Sequence, residues 1–501
     1  MPDPRPNILF FMCDQLTPFV LSPYREGMAI TPAFQSIADR GVTFTSAYCN
    51  SPLCTPSRAS MMSGRYCSDI GVYHNAGVLH SDEPCLAHYL RAAGYHTVLS
   101  GKMHFIGPDQ LHGFSQRLTT DIYPGDMSWI ADWSVEKSTG NELGAVYQST
   151  APLDGNKFQA YDEEATFRAM QWLRHYARSG TMRQDPFFLC VSLTNPHHPY
   201  VAPAAEWARY EGREIPAPRV PPREPDNHNA RWVSEALTLD RKFVPPEETQ
   251  LARRGYFACT SFADGQLAKI VGTLEALGLS DDTWIILTSD HGDMIGERGL
   301  WFKKLFYEGS ARVPLIIRPP GGTDPQRRSQ PVSLVDLLPT FADIGRTAAP
   351  DPTLPGRSLL PLMADPAALA DRPCIMEYMG TSVLGPIRMV RQGAYKYVSI
   401  HPTGGHEELL FNLDDDPDEL NNLVARPELA SVLERLRHIC TADGWDGQAM
   451  NRTVRADQRR RMFIRSAMEK KPATSFNYVP PPVNPSDPEQ FGIALNDSRR
   501  S

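Results

Sequence analysis

The sequence predicts an α/β protein built on a large, mostly parallel sheet between helices, followed by a smaller α+β portion and an extended tail. Two observations carry this reading. Short apolar runs rich in Ile, Phe and Val alternate with longer helical stretches, the pattern of strand–helix–strand units. Clusters of Asp, Gln, His and Lys fall just past the apolar runs, where open α/β sheets bind their ligands. The chain has 501 residues, 41% of them hydrophobic and 22% charged, which suffices for one large domain with a sizeable core plus a smaller one.

The elements follow in order. Residues 7–13 (NILFFMC) read as a buried strand ending at Asp14-Gln15. Thr31-Pro32 opens a helix, with Thr as N-cap and Pro at the first helical position, and Gly41 closes it. A helix over about 84–93 precedes a strand at 96–100, which runs into Gly101-Lys102-Met103-His104. Residues 161–178 place acids first and bases last, as the helix dipole prefers. Residues 187–193 form a strand feeding Asn195-Pro196-His197-His198-Pro199. The Pro-rich, charged stretch 202–247 reads as a surface excursion, and a long helix covers about 247–277. The strand at 284–289 ends in Asp290-His291-Gly292-Asp293. Composition changes after about 365, with short strands at 374–378 and 395–399 and a helix near 427–440. The expected division is a large domain over 1–365, an α+β subdomain over 366–470 and a Pro-rich extended tail over 471–501.

The bulk numbers exclude some functions. A formal net charge of −8 gives no long-range pull on nucleic acid or an anionic membrane, so an anionic substrate needs a local basic pocket. The first residues, MPDPRPNILFFMCDQ, lack the basic and apolar regions of a secretory signal, and no apolar run is long enough to span a membrane. The nine cysteines are scattered, odd in number and without a CxxC pair. That argues against a disulfide framework or a structural zinc site and for a reducing compartment. The expectation is a cytoplasmic protein with neither nucleic acid nor membrane as partner.

The most specific local signal is Cys54-Thr55-Pro56-Ser57-Arg58, continuing to Gly64-Arg65, a C-x-P-S-R-x5-G-R pattern. A lone cysteine beside a Pro helix start is ordinarily a small buried hydrophobe. The full pattern resembles the signature of the formylglycine-dependent sulfatases, in which that cysteine is oxidised to 3-oxoalanine. The resemblance implies that the aldehyde hydrates, that one metal-activated hydroxyl attacks sulfur, and that the second lets the bound sulfate leave. It also implies a formylglycine-generating maturation system as partner. Arg58, one turn into the following helix, is expected to aim its charge at the diol.

Asp14 and Asp290-His291 follow strands and offer oxygen donors with one imidazole, a set that suits Ca²⁺, Mg²⁺ or Mn²⁺. Singly, such acids more often cap the next helix. The resemblance assigns Asp14, Asp290, His291 and the Cys54 position to one divalent metal, with Gln15 as a further ligand where many members carry an acid. Lys102, His104, His197 and Lys303 each have an ordinary reading as surface or capping residues. Together they form the preorganised cations that sulfuryl transfer needs. By resemblance Lys102 and Lys303 grip the sulfate, and His104 and His197 sit near the diol or the leaving oxygen. Lys303 is chosen over Lys304 because it stands five residues before Glu308.

The resemblance extends over about residues 5–440. The stretches GKMHFIGPDQLHGFSQRLTTDIYP (101–124), SDHGDMIGERGLWFK (289–303) and FYEGSARVPLIIR (306–318) look like the choline sulfatases within that family. This implies an alkaline-phosphatase-like core and a homo-oligomer, dimer or tetramer, and a small sulfate ester as substrate. It also implies substrate contacts at Asn75, beside the sulfate, and at Trp129 and Glu377 on the alcohol side, since a trimethylammonium group is held by aromatic faces and carboxylates. The segment 130–160 lacks the aromatic-rich run expected there. Two further readings stay open: a phosphonate monoester or phosphodiester hydrolase with the same machinery, and a non-catalytic anion-binding protein. A thiol hydrolase using Cys54 and His197 leaves the metal acids unexplained.

Overall fold

The computed structural model describes residues 5–470, except 26–27, 124, 136–142, 148–149, 238–242, 349 and 370. The tail over 471–501, on which the oligomer expectation partly rests, and part of the 130–160 segment lie outside the described residues.

The main sheet is made of β1 (Asn7–Cys13), β2 (Val42–Tyr48), β3 (His96–Gly101), β4 (Gln116–Arg117), β5 (Phe187–Ser192), β6 (Thr283–Ser289), β7 (Arg312–Arg318), β8 (Gln326–Arg328) and β9 (Val332–Ser333). Their order is β8-β2-β7-β6-β1-β5-β3-β4, with β9 also paired to β2. The centre is parallel, and β7 alone runs antiparallel, against both β2 and β6. Every residue of β1 and β5 is buried, so these strands are covered on both faces and read as continuous apolar runs rather than alternating ones.

Helices supply the cover. They include α1 (Pro32–Ala38), α2 (Cys54–Ser63), α3 (Leu86–Ala92), α4 (Lys157–Arg178), α5 (His228–Leu237), α6 (Pro246–Ala276) and α7 (Leu337–Gly345). The α4 helix starts four residues before the expected 161, because Asn156 caps it: its side chain accepts from the Phe158 and Gln159 amides. The stretch 202–247 is not merely a surface excursion. It contains α5, which buries Trp232, Val233, Ala236 and Leu237. Its signal was hidden because a single amphipathic turn set lies between Pro-rich arms.

A second, antiparallel sheet holds β10 (Cys374–Tyr378), β11 (Ile387–Gln392), β12 (Tyr395–Ile400) and β13 (Glu407–Asn412) in that order. The helix α8 (Ala430–Thr441) packs its Leu433, Leu436 and Cys440 with Ile375, Val390, Tyr397 and Leu410 of this sheet. The last described helix, α9, spans Gly447–Lys470. Residues through Gln458 form one compact unit, and those from Arg459 a second.

Register places the functional loops. Cys13 lies opposite Ser289, so Asp14 and Asp290 leave neighbouring strands side by side. Gly101 lies opposite Ser192, which puts Lys102 next to the start of the 193–199 loop. At Gly101 the two backbones approach closely: φ is +104° and a Cβ would stand 2.0 Å from the Ser192 carbonyl oxygen. Only glycine meets both demands. Gly101→Ala should therefore lower stability by about 3 kcal/mol, read as a shift of the urea midpoint; an unchanged midpoint would show that β3 and β5 can separate there.

Candidate active site

Cys54 is the first residue of α2, with Leu53 as an extended N-cap. The thiol is therefore held at a helix N-terminus, inside the fold and 2% exposed. The Asn75 side chain accepts from the Thr55 amide at 3.1 Å, which satisfies one of the free donors of that first turn. Asn75 thus lies beside the site. The Cys54 sulfur marks where the oxygens of a formylglycine hydrate would be.

The Cys54 Sγ is 3.3 Å from His291 Nε2, 3.3 Å from Lys303 Nζ and 3.8 Å from Asp14 Oδ1. Burial by itself pushes the thiol pKa up, but the Lys102 and Lys303 ammonium groups outweigh it and hold it well below the ordinary range. Ligand atoms of Asp14, Cys54, Asp290 and His291 all lie within 4.8 Å of one another, and all four residues are buried. His291 directs Nδ1 at the Gly292 carbonyl at 3.1 Å. That bond assigns the proton to Nδ1 and leaves the Nε2 lone pair facing the cluster, as a metal ligand requires. Two carboxylates, an imidazole and a nearby amide oxygen fit a divalent Ca²⁺, Mg²⁺ or Mn²⁺.

Arg58 has a different position from the one expected. Its guanidinium does not aim at Cys54 but clamps the acids: Nε donates to Asp290 Oδ2 at 2.8 Å and an Nη to Asp14 Oδ2 at 3.2 Å. The other Nη donates to the Lys102 carbonyl at 2.7 Å and to Ser192 Oγ at 2.9 Å. The cause is the planar fork, which satisfies two carboxylates and two strand ends at once. Ser57 adds a hydrogen bond to the Asp290 carbonyl at 2.5 Å.

Lys102 pairs with Asp14 Oδ2 and lies 4.3 Å from the Tyr123 ring centre. Burial would raise the Asp14 carboxyl, as would Cys54, yet the Lys102 ammonium and the Arg58 guanidinium hold it below the usual carboxylate range. Lys303 donates to Gln15 Oε1 at 2.7 Å, to His197 Nε2 at 2.8 Å and to Cys54 Sγ. Three bonds fill its three donors. His197 directs Nδ1 at the His198 carbonyl at 2.6 Å, so its Nε2 accepts from Lys303. Burial first and Lys303 second lower the His197 pKa, which keeps the ring neutral. His104 has φ +60° and is fixed through its amide, which donates to Asp121 Oδ2 at 2.6 Å. Its ring lies near enough to Cys54 to lower that thiol's pKa. Among the described residues its ring nitrogens have no hydrogen-bond partner of good geometry besides the approach to the Cys54 thiol, which leaves the ring able to take a ligand.

Trp129 is brought to the site, edge-on to His104 at 5.3 Å and against Tyr123 at 5.1 Å, with 38% of its surface exposed. Glu377 is not. It is fully buried, its oxygens accept from the Ser68 amide and hydroxyl at 2.8 and 2.9 Å, and Arg388 lies 3.4 Å away. The expectation of an alcohol-side carboxylate at Glu377 is corrected accordingly: the Ser68 and Arg388 partners hold it between α2's far end and β11.

Gln15 is oriented by a residue that sequence reasoning passed over. Asp293 Oδ2 accepts from Gln15 Nε2 at 2.5 Å and from the Tyr200 hydroxyl at 2.6 Å, while Oδ1 accepts the Ile295 and Phe302 amides. The amide oxygen of Gln15 therefore turns toward Lys303. Asp293 stands two residues after His291 in S-D-H-G-D, which was the available signal. Tyr123 carried none, because a loop brings it in, and Ser192, the last residue of β5, carries no local sign of the guanidinium it meets. Removing the clamp leaves two buried carboxylates facing each other: Arg58→Ala should cost about 3–5 kcal/mol, measured by chemical denaturation, and a loss below about 1 kcal/mol would show the acids to be held by other groups.

Residues 6–346 match the family model described as sulfatase, and residues 296–442 match that of the N-sulphoglucosamine sulphohydrolase C-terminal region. The chain is 39% identical over 482 residues to a choline-sulfatase of Rhizobium meliloti strain 1021, covering 93% of this chain and 91% of that protein. Among solved structures, the phosphonate monoester hydrolase of Agrobacterium radiobacter superposes with a TM-score of 0.69 at 23% identity, over 91% of this chain and 96% of that one. A protein solved with its substrate D-glucosamine-2-N,6-O-disulfate gives 0.70 at 22% identity, over 90% and 98%. These two share the fold, an α/β core with a C-terminal antiparallel sheet. With a family model spanning most of its length and a 39% identical relative matched nearly end to end, the chain belongs to the sulfatase family and is a sulfuric ester hydrolase.

Proposed function

We propose that this protein hydrolyses a small sulfate monoester using formylglycine formed from Cys54, with Asp14, Asp290, His291 and Gln15 around one divalent metal. The observation that carries the reading is the position of Cys54: the C-x-P-S-R cysteine lies at a helix N-terminus, 3.3 Å from both His291 Nε2 and Lys303 Nζ. A hydrated aldehyde at position 54 supplies one hydroxyl to attack sulfur and another to release the bound sulfate. A divalent ion there supplies Lewis acidity toward the sulfate oxygens and lowers the pKa of the attacking hydroxyl.

The chain's own groups do the rest. Lys102 and Lys303 neutralise nonbridging oxygens of the transferring group, and their burial makes that interaction strong. Lys303 donates to the neutral His197 imidazole, which holds the ammonium in place to give a proton to the leaving alcohol. His104 offers its ring to the leaving oxygen. Arg58 positions both metal acids. Trp129 and Tyr123 form an aromatic wall beside His104 for the alcohol. The nine cysteines are all free and buried, which supports a cytoplasmic setting. Among the described residues no helix is long and apolar enough to cross a membrane.

Sulfate release from 4-nitrophenyl sulfate should fall at least about a thousandfold in Cys54→Ala and Cys54→Ser, while the circular dichroism spectrum stays unchanged; near-wild-type rates in either would end the formylglycine reading. The phosphonate monoester hydrolase neighbour makes a phosphonate monoester the informative second substrate, and a much faster rate on it would move the activity to that class. Adding Mn²⁺, Mg²⁺ or Ca²⁺ to chelator-treated protein should raise the melting temperature and restore turnover together; restored turnover without metal would remove the ion from the site.

A further inference from the structure

Lys304 is a buried cation beside the reacting centre that the chemistry above does not use. It is 4% exposed. Its φ of +79° sends its side chain off the course of Lys303. Its amide donates to the Pro52 carbonyl at 3.1 Å, two residues before Cys54, and its own carbonyl accepts from Asn229 Nδ2 at 3.0 Å. Its ammonium donates to Ser382 Oγ at 2.9 Å. Ser382 belongs to the turn after β10, and that turn rests on the approach to Cys54. A Cβ on Gly380 would stand 2.8 Å from Leu53 Cδ2, and the Gly380 carbonyl accepts the Trp133 indole N–H at 3.0 Å. Burial, then Lys303, pull the Lys304 pKa down to about 7 against the opposing influence of Cys54. An arriving anion would restore its charge.

The acids nearby are engaged. Asp14 and Asp290 serve Arg58 and Lys102, Asp293 holds Gln15 and Tyr200, and Glu377 is bonded to Ser68 and Arg388. Among the described residues, a cationic alcohol would therefore meet Lys102, Lys303 and Lys304 around Cys54, where the acids named above are already engaged. Resting on the sulfatase reading, we propose that Lys304, anchored by Ser382, is a specificity-determining residue that selects sulfate esters whose alcohol part carries a carboxylate rather than a quaternary ammonium.

The test compares initial rates of the full chain, its position 54 checked by mass, on 3-sulfooxypropanoate, choline-O-sulfate and propyl sulfate, with 4-nitrophenyl sulfate as the general sulfatase control. The wild type should favour the carboxylate ester over the choline ester by about a hundredfold or more in kcat/KM. In Lys304→Met the preference for the carboxylate ester over propyl sulfate should drop at least about tenfold, mostly through KM, and Lys304→Arg should keep part of it. A wild type that handles choline-O-sulfate as well or better overturns the proposal, as does an unchanged preference in Lys304→Met. Should Lys304→Met fail to fold, Lys304→Gln and the wild-type ratio decide. Inertness toward all four sulfates would instead sink the sulfatase reading, and this inference with it; turnover of 4-nitrophenyl sulfate without the carboxylate preference sinks this inference alone.

Discussion

Two carboxylates at the ends of neighbouring strands can face one another inside a protein only if something cationic holds them. Here that is Arg58, 1% exposed, bonded to Asp14 and Asp290 and also to the Lys102 carbonyl and Ser192. A single planar guanidinium thus joins α2 to the ends of β1, β6 and β5 and to the residue following β3. A lysine could offer its charge but not the fork that reaches four acceptors at once. The buried ion cluster is costly to desolvate, and its geometry is retained because it presents carboxylate oxygens and an imidazole nitrogen in one place.

From this follows the division of labour in the site. The parallel register places Asp14 beside Asp290 and Lys102 beside the 193–199 loop. The helix N-terminus delivers Cys54 between them. The carboxylates around the sulfur suit a metal ion, and the Lys102 and Lys303 ammonium groups beside them suit the oxygens of a sulfuryl group. Carboxylate, ammonium and guanidinium charges that would repel or be unpaired alone are balanced as a set. Lys303 joins the two halves through its bonds to Gln15, His197 and Cys54.

Much of this was legible in the sequence, for identifiable reasons. The strands β1, β3, β5 and β6 each carry a short apolar run and end in polar clusters, so both the strands and the loops they carry stood out. The C-x-P-S-R run marked α2 because its residues serve one site. What was not legible depended on long-range geometry. Strands β7 and β11 to β13 pair antiparallel, and their partners are not readable from local pattern. In the sequence Arg58 reads as a charge aimed at the diol of position 54, because charge type alone does not reveal which acids it meets. Glu377 looked like a pocket acid for the same reason, and its partners Ser68 and Arg388 lie far away in sequence. Asp293 and Tyr123 gain their roles from loops whose path no periodicity encodes.

The account depends most on the chemical state of Cys54 in protein that turns over sulfate esters. The decisive measurement is the mass of the proteolytic peptide carrying position 54, taken from an active preparation. The account predicts a species lighter than the thiol form by about 18 Da, the change from –CH₂SH to –CHO, in a fraction that tracks specific activity. Full activity with the unmodified thiol mass would contradict it.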